Sequence, residues 1–338
     1  MSAKVTMTSI ANKLGVSKNT VSLALRGVGG ISESTRRLII DTADALGYRY
    51  KSAAKQGESR NLCLVIPKSA QNSLDFFSVI QMGIEDEAKK NNINTVLHYY
   101  DDTGNGFQIP LCIREGMISG IITLGRVDQS TVQTLKSYGL PVIMVDNYID
   151  GMEIDCILTD NYCGGYTAAE HLIRSGHKSI AFFGEIKASV SFYDRYMGYR
   201  RAVERYGVDI PEQSSLLLEC SESIWLDDAI ALIRQVQATG GLPSAFVCCN
   251  DITAILLCKA LNQLNISVPG QISVVGFDDI SAASGIIPEL TTMQVRREAM
   301  GRKAVVKLLS RLSGGDGIAE KILLSARLIE RDSVKSPM

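Results

Sequence analysis

From residue 62 onward, short apolar runs alternate with amphipathic stretches of helix length, and no other feature restricts the possible folds as strongly. In a first series the runs at 62–67, 95–99, 120–124 and 142–145 are separated by helix-length segments at 76–91, 109–117 and 130–138. A second series places strand patterns at 179–183, 215–219, 245–249 and 272–277 among helical patterns at 162–175, 193–206, 226–239 and 252–264. Repeated strand-then-helix units specify parallel sheets covered by helices on both faces. Two such series predict an α/β core of two doubly wound lobes.

The first 61 residues read differently. Three helices are expected: 6–14, with Ile10, Ala11 and Leu14 on one side; 18–26, with Val21, Ala24 and Leu25 as an i, i+3, i+4 stripe; and 33–46. Ser17 reads as the N-cap of the second and Ser32 of the third, with Gly47 stopping the third. Leu38, Ile39, Thr42, Ala45 and Leu46 supply the third helix's apolar face. Two short helices joined at Gly15 form the unit that sets a second helix in a DNA major groove, although an ordinary surface αα-hairpin has the same pattern.

Charge helps to separate these readings. Residues 1–61 hold ten lysines and arginines against four acids, so a head of +6 sits on a body of −7 within a chain of net charge −1. A basic head on an acidic body fits a nucleic-acid partner. Residues 48–61 are polar and basic with no apolar stripe, which predicts a linker. No apolar run reaches the ~18 residues of a membrane span and no secretory leader pattern is present, so a soluble, cytoplasmic protein is expected. The eight cysteines include no C-x-x-C pair and lie apart from His98, His171 and His177, so reduced structural thiols are expected, with no metal and no cofactor.

Ligand sites in open α/β sheets lie beyond the carboxyl ends of the strands. Asp146-Asn147, Asn250-Asp251 and Asp278-Asp279 stand there, able to meet the hydroxyls of a neutral polyhydroxylated ligand or merely to cap the next helices. His177, in the turn Gly176-His177-Lys178, reads as a turn-stabilising residue rather than a base. No G-x-G-x-x-G after a strand, P-loop, H-E-x-x-H or G-x-S-x-G motif is present, and an enzyme is not expected.

Over nearly its whole length the sequence resembles the lactose-repressor (LacI/GalR) family of bacterial transcription regulators. The head matches in Ile10-Ala11, Gly15-Val16-Ser17, Thr20-Val21-Ser22 and Ser32-x-x-Thr35-Arg36. The body matches in Asp160-Asn161, Gly176-His177, Arg195 with Gly198-Tyr199, Asn250-Asp251, Val274 through Asp279 and Arg331-Asp332-Ser333. The resemblance implies a helix-turn-helix head at 1–47, a hinge at 48–61 and a periplasmic-binding-protein-like core at 62–338. Its first lobe would span about 62–158 and 291–317, its second about 159–290 and 318–333. It further implies a homodimeric repressor of a carbohydrate operon that reads an inverted-repeat operator under control of a sugar or sugar phosphate. The alternative is a small-molecule-binding protein of the same fold that has lost its DNA activity. No leucine heptad follows Ser333, so dimers rather than tetramers are expected.

By the same resemblance Lys18, Asn19 and Leu23 fall at base-reading positions. Thr6, Ser17, Thr20 and Ser22 lie beside them, and Arg26, Ser32, Thr35, Lys51 and Lys55 complete the DNA-contacting set. Asn19 can pair with adenine and Lys18 can donate to guanine or phosphate, but Leu23 offers only apolar contact, for instance to a thymine methyl. An A·T pair is therefore expected where relatives with a polar residue read G·C. In the hinge, Tyr50 stands where relatives carry proline and Gly57 where they carry the leucine that wedges into the minor groove, so weak central kinking is expected, with Lys51 and Lys55 carrying more of the affinity. For the effector the resemblance points to Arg195, Asp278, Asn250 and Asp146, with Asp160 from the matched motif. Phe76 and Phe77 look like the aromatic pair of the first loop, and Trp225 lies near a ring-stacking position unless it is core. Arg195 has a second reading, as a lobe-spanning salt bridge.

Overall fold

The computed structural model describes residues 5–25, 31–46, 48, 61–102, 107–210 and 225–337. The chain divides into two units, 1–61 with 111–119, and 62–110 with 120–338. In the first, α1 (Met7–Leu14), α2 (Lys18–Leu25) and α3 (Glu33–Ala45) follow the expected periodicities. Each begins at a hydroxyl residue. Ser9 N donates to Thr6 Oγ1 at 3.2 Å, Thr20 N to Ser17 Oγ at 3.0 Å and Thr35 N to Ser32 Oγ at 3.2 Å. Gly15, at φ 64°, ends α1 in the left-handed conformation that glycine adopts without strain. Ile10, Ala11, Val21, Ala24, Leu25, Ile39 and Ala43 form a closed small core. Leu38, expected in it, is 56% exposed: the inward row runs through Ile39 and Ala43 with i, i+4 spacing, and Leu38 lies about 100° away.

The second unit holds two sheets. Its first part runs β1 (Asn61–Pro67), a 3-10 turn over Lys68–Ser73, α4 (Leu74–Lys90) and β2 (Asn94–Tyr100). Next in sequence is α5 (Leu111–Arg114), which groups with the first unit and is far shorter than the expected 109–117 helix. The chain continues through β3 (Gly120–Leu124), α6 (Gln129–Lys136), β4 (Val142–Val145) and β5 (Asp155–Thr159). Then come α7 (Asn161–Arg174), β6 (Ile180–Phe183), α8 (Val190–Tyr206), α9 (Leu226–Gly240), β7 (Ala245–Cys248), α10 (Asp251–Gln263) and β8 (Ser273–Asp278). The chain closes with β9 (Thr291–Gln294), α11 (Arg297–Leu312), β10 (Lys321–Leu324) and β11 (Arg327–Ile329).

One sheet has the order β10-β5-β4-β3-β1-β2 and the other β11-β9-β8-β7-β6. Only the β11–β9 pairing is antiparallel among the registered pairs. The lobe boundaries differ from expectation. Thr291–Gln294 pairs with β8 in the second sheet, and Lys321–Leu324 pairs with β5 in the first. The chain therefore crosses between lobes near residues 160, 295 and 325, not at 290 and 317. The strand expected at 215–219 lies outside the described residues.

Each lobe contains one helix pair in which backbones nearly touch. A Cβ on Gly198 of α8 would run into the Tyr162 carbonyl oxygen of α7, and one on Gly165 of α7 into that of Arg195. In the first lobe Gly83 of α4 and Gly301 of α11 meet the backbone of Glu298 and Ile80 in the same way. The first pairing sets the position of α8, and with it Arg195.

Candidate DNA interface and effector cleft

In the head, Lys18 and Asn19 are exposed on the first turn of α2, while Thr20, Ser22 and Leu23 are half-buried. Thr6, Ser17 and Ser32 are exposed and occupied as caps, and Thr20 Oγ1 and Thr35 Oγ1 share short hydrogen bonds of 2.8 and 2.7 Å with Ser17 and Ser32. The N-termini of the helices thus combine hydroxyls with amide donors, which suits phosphate oxygens. Arg26, Lys51, Lys55 and Gly57 lie outside the described residues.

In the second unit a cavity of about 700 Å³ opens where strands of both sheets end. Its floor is a buried polar cluster centred on Arg195, which is 2% exposed. Arg195 Nη2 lies 3.0 Å from Asp278 Oδ1, Nε donates to Asn161 Oδ1 at 2.9 Å and Nη1 donates to the Cys249 carbonyl at 2.6 Å. The guanidinium also stacks 3.8 Å from the centre of the Phe277 ring. A cation held on so many sides is fixed in direction. Arg195 lines the cavity, and its salt bridge to Asp278 does not span the lobes as expected but is internal to the second, because α8 and β8 both belong there.

Asp146 approaches this cluster from the other lobe, at the end of β4, with φ 59°. Burial pushes its carboxyl up to about 7; Arg195 pulls it down and Asp278 pushes it up again. Its Oδ1 is buried without a hydrogen-bond partner among the described residues. A neutral carboxyl or an ion there seeks a partner in the cavity. Asn250 has the expected cap role, its Oδ1 accepting from Thr253 N at 3.0 Å at the start of α10, and it also lines the cavity. Phe76 and Phe77, edge to face at 5.1 Å between centroids, form one wall.

Two expected effector residues do not reach this cavity. Asp160 is engaged as the N-cap of α7, accepting from Cys163 N at 3.0 Å, and is not in the lining. Trp225 is 80% exposed at the start of α9 and is neither cavity wall nor core. An aromatic ring that does line the cavity beside Arg195 is Phe192, whose centre is 5.5 Å from the guanidinium carbon. Sequence reasoning passed over Arg126, Lys187 and Ser189 in the lining. The signal was available, because Arg126 and Lys187 closely follow the apolar runs that end at Leu124 and Phe183. His177 holds the structural place expected of it, with Nδ1 2.9 Å from Ser244 Oγ and Nε2 3.0 Å from Ser273 Oγ.

Residues 6–50 match the model of bacterial regulatory proteins of the lacI family, and residues 169–334 match a periplasmic binding protein-like domain. The chain belongs to the lacI family. This lacI-family protein is a DNA-binding transcriptional regulator. It is 29% identical to the probable HTH-type transcriptional repressor ExuR of Bacillus subtilis over 336 residues, with 98% of each chain covered. Its fold matches that of a CelR–cellobiose complex with a TM-score of 0.70 at 22% identity, covering 97% of this chain and 99% of the other. The lac repressor dimer bound to operator and the anti-inducer ONPF matches with a TM-score of 0.68 at 23% identity, covering 98% and 99%.

Proposed function

We propose that this lacI-family regulator represses a carbohydrate-utilisation operon. In this reading it binds an inverted-repeat operator as a homodimer, and its operator affinity is set by a sugar or sugar phosphate in the cleft. The observation that carries the ligand class is the meeting of Asp146 from one lobe with Arg195, Asn250 and Asp278 from the other. Each hydroxyl of a sugar both donates and accepts, so a site that combines carboxylates, an amide and a fixed guanidinium satisfies vicinal hydroxyls from both sides. The cellobiose in the related CelR fold supports the same class. A binder, not a catalyst, is the reading because Arg195 and Asp278 are held in an ion pair and Asn250 in a cap, with no nucleophile–base pair facing the cavity among the described residues.

DNA contact is assigned to Lys18, Asn19 and Leu23 of α2, with cap hydroxyls of Thr6, Ser17 and Ser32 against phosphates. For self-association, Ile287 is 101% exposed beside a shallow groove containing Leu226, Ile266, Val268 and Ile286. No helix among the described residues is long and apolar enough to cross a membrane, which accords with action in the cytoplasm. The test is a gel shift of the full chain on DNA flanking its own gene, repeated with a carbohydrate panel. Retention at one inverted repeat, altered by a sugar, is expected. Absence of specific retention would favour a ligand-binding protein without DNA activity.

A further inference from the structure

Arg126, just after β3 in the first lobe, and Lys187, after β6 in the second, line the cavity yet remain exposed. No hydrogen bond or ion pair joins either to another described residue, unlike Arg195 on the floor. Four carboxylates border the same cavity. Asp75 accepts from the backbone N and Oγ of Ser281 at 3.2 and 3.3 Å, and Asp278 is paired with Arg195. Asp146 belongs to the floor, which leaves Glu185 alone at the rim against two uncommitted cations. The cavity therefore has two chemistries: acceptors at its floor that need donors, and a positive rim that needs an anion.

We infer that the effector is a hydroxylated anion, whose hydroxyls meet Asp146 and Asp278 and whose carboxylate or phosphate is held between Arg126 and Lys187. The inference deepens the carbohydrate reading above and rests on it. Since the two cations come from opposite lobes, an anion between them draws the lobes together, whereas their mutual repulsion opposes closure without one. A neutral sugar fills the floor but leaves that repulsion in place. Arg126 and Lys187 thus set specificity by charge and link it to closure.

Calorimetric titration of the full chain tests this with galacturonate, gluconate and glucose 6-phosphate beside their neutral parents galactose and glucose. At least one anion is expected to bind tenfold or more tightly than its parent, with affinity falling as salt rises. The carboxylate and phosphate arms tell which anion is recognised. The double variant Arg126→Ala, Lys187→Ala alters only exposed side chains; it should lower anion affinity tenfold or more while leaving neutral-sugar affinity within threefold. A neutral parent binding as tightly as its anion, or an anion unaffected by the double variant, overturns the inference and leaves the carbohydrate reading standing. If neither anions nor neutral sugars bind while operator retention persists, the carbohydrate reading itself falls, and this inference with it.

Discussion

Asp146 carries a measurable pH signature. Its carboxyl, held near 7 in the folded chain against an ordinary 3.8, keeps its proton where the unfolded chain has released it. Folding is therefore favoured by this group below pH 4, and the advantage is lost as pH rises through 7. The full linkage is at most about 4 kcal/mol, and because the side chain borders an open cleft about 2 kcal/mol is expected. Asp146→Asn should accordingly raise the thermal midpoint by roughly 4–8 °C at pH 8 and hardly at all near pH 4. Asp251, pushed up to about 8 by burial beside Asp278, contributes a similar slope to both proteins and cancels in the difference. An equal gain at both pH values would show that Asp146 does not titrate in this range. In the head, half-buried Leu23 can offer a methyl surface but no donor. Operator selection should return an A·T pair under residue 23, and Leu23→Arg should move that preference toward G·C by about 1–3 kcal/mol. An indispensable guanine under residue 23 in the parent protein would contradict the assignment.

At the scale of elements, the closest constraint is the contact of α7 with α8. Gly198→Ala would force a methyl into the Tyr162 carbonyl, and overpacking of this kind costs about 1–3 kcal/mol. A drop of roughly 3–10 °C in melting temperature is expected, with effector affinity falling as well because α8 carries Arg195, while Lys89→Ala, at an exposed position of α4, should change neither. Sequence legibility divided along the same physical line. Strands such as Ile180–Phe183 and Ala245–Cys248 stood out because parallel strands buried on both faces are continuously apolar. Thr291–Gln294 did not, although Thr291 and Thr292 are fully buried: their hydroxyls are satisfied by partners that only the tertiary fold supplies, Thr292 donating to Asp251 at 2.5 Å. The floor of the site was legible from residues standing after strand patterns. Its rim was less so: Arg126 and Lys187 also follow strand patterns, but a cation there looks like solvated surface until both lobes are folded.

Across the whole second unit, the lobes are joined by side chains as well as by chain crossings. Tyr148, after β4, donates to Asp194 of α8 at 3.2 Å, while Lys321 Nζ lies 3.8 Å from the centre of its ring. On the α4 side, Asp75 accepts from Ser281, and Arg297 donates to the carbonyls of Asp75 and Asp279 at 2.9 and 2.7 Å. The Tyr148–Asp194, Asp75–Ser281 and Arg297–Asp279 bonds exist only while the lobes hold their present separation. They add stability to that arrangement without touching the cavity floor, so they should bias the equilibrium on which an effector acts. Tyr148→Phe removes one hydroxyl and keeps the ring over Lys321. Losing a bond of about 0.5–1.5 kcal/mol should weaken an effector that selects this arrangement by roughly two- to tenfold. Reciprocity then requires that any change this variant makes in the effector's influence on operator affinity appear equally in the operator's influence on effector affinity. Titrating effector with and without operator DNA measures both. An affinity unchanged by Tyr148→Phe would mean that the present arrangement is not the one the effector selects.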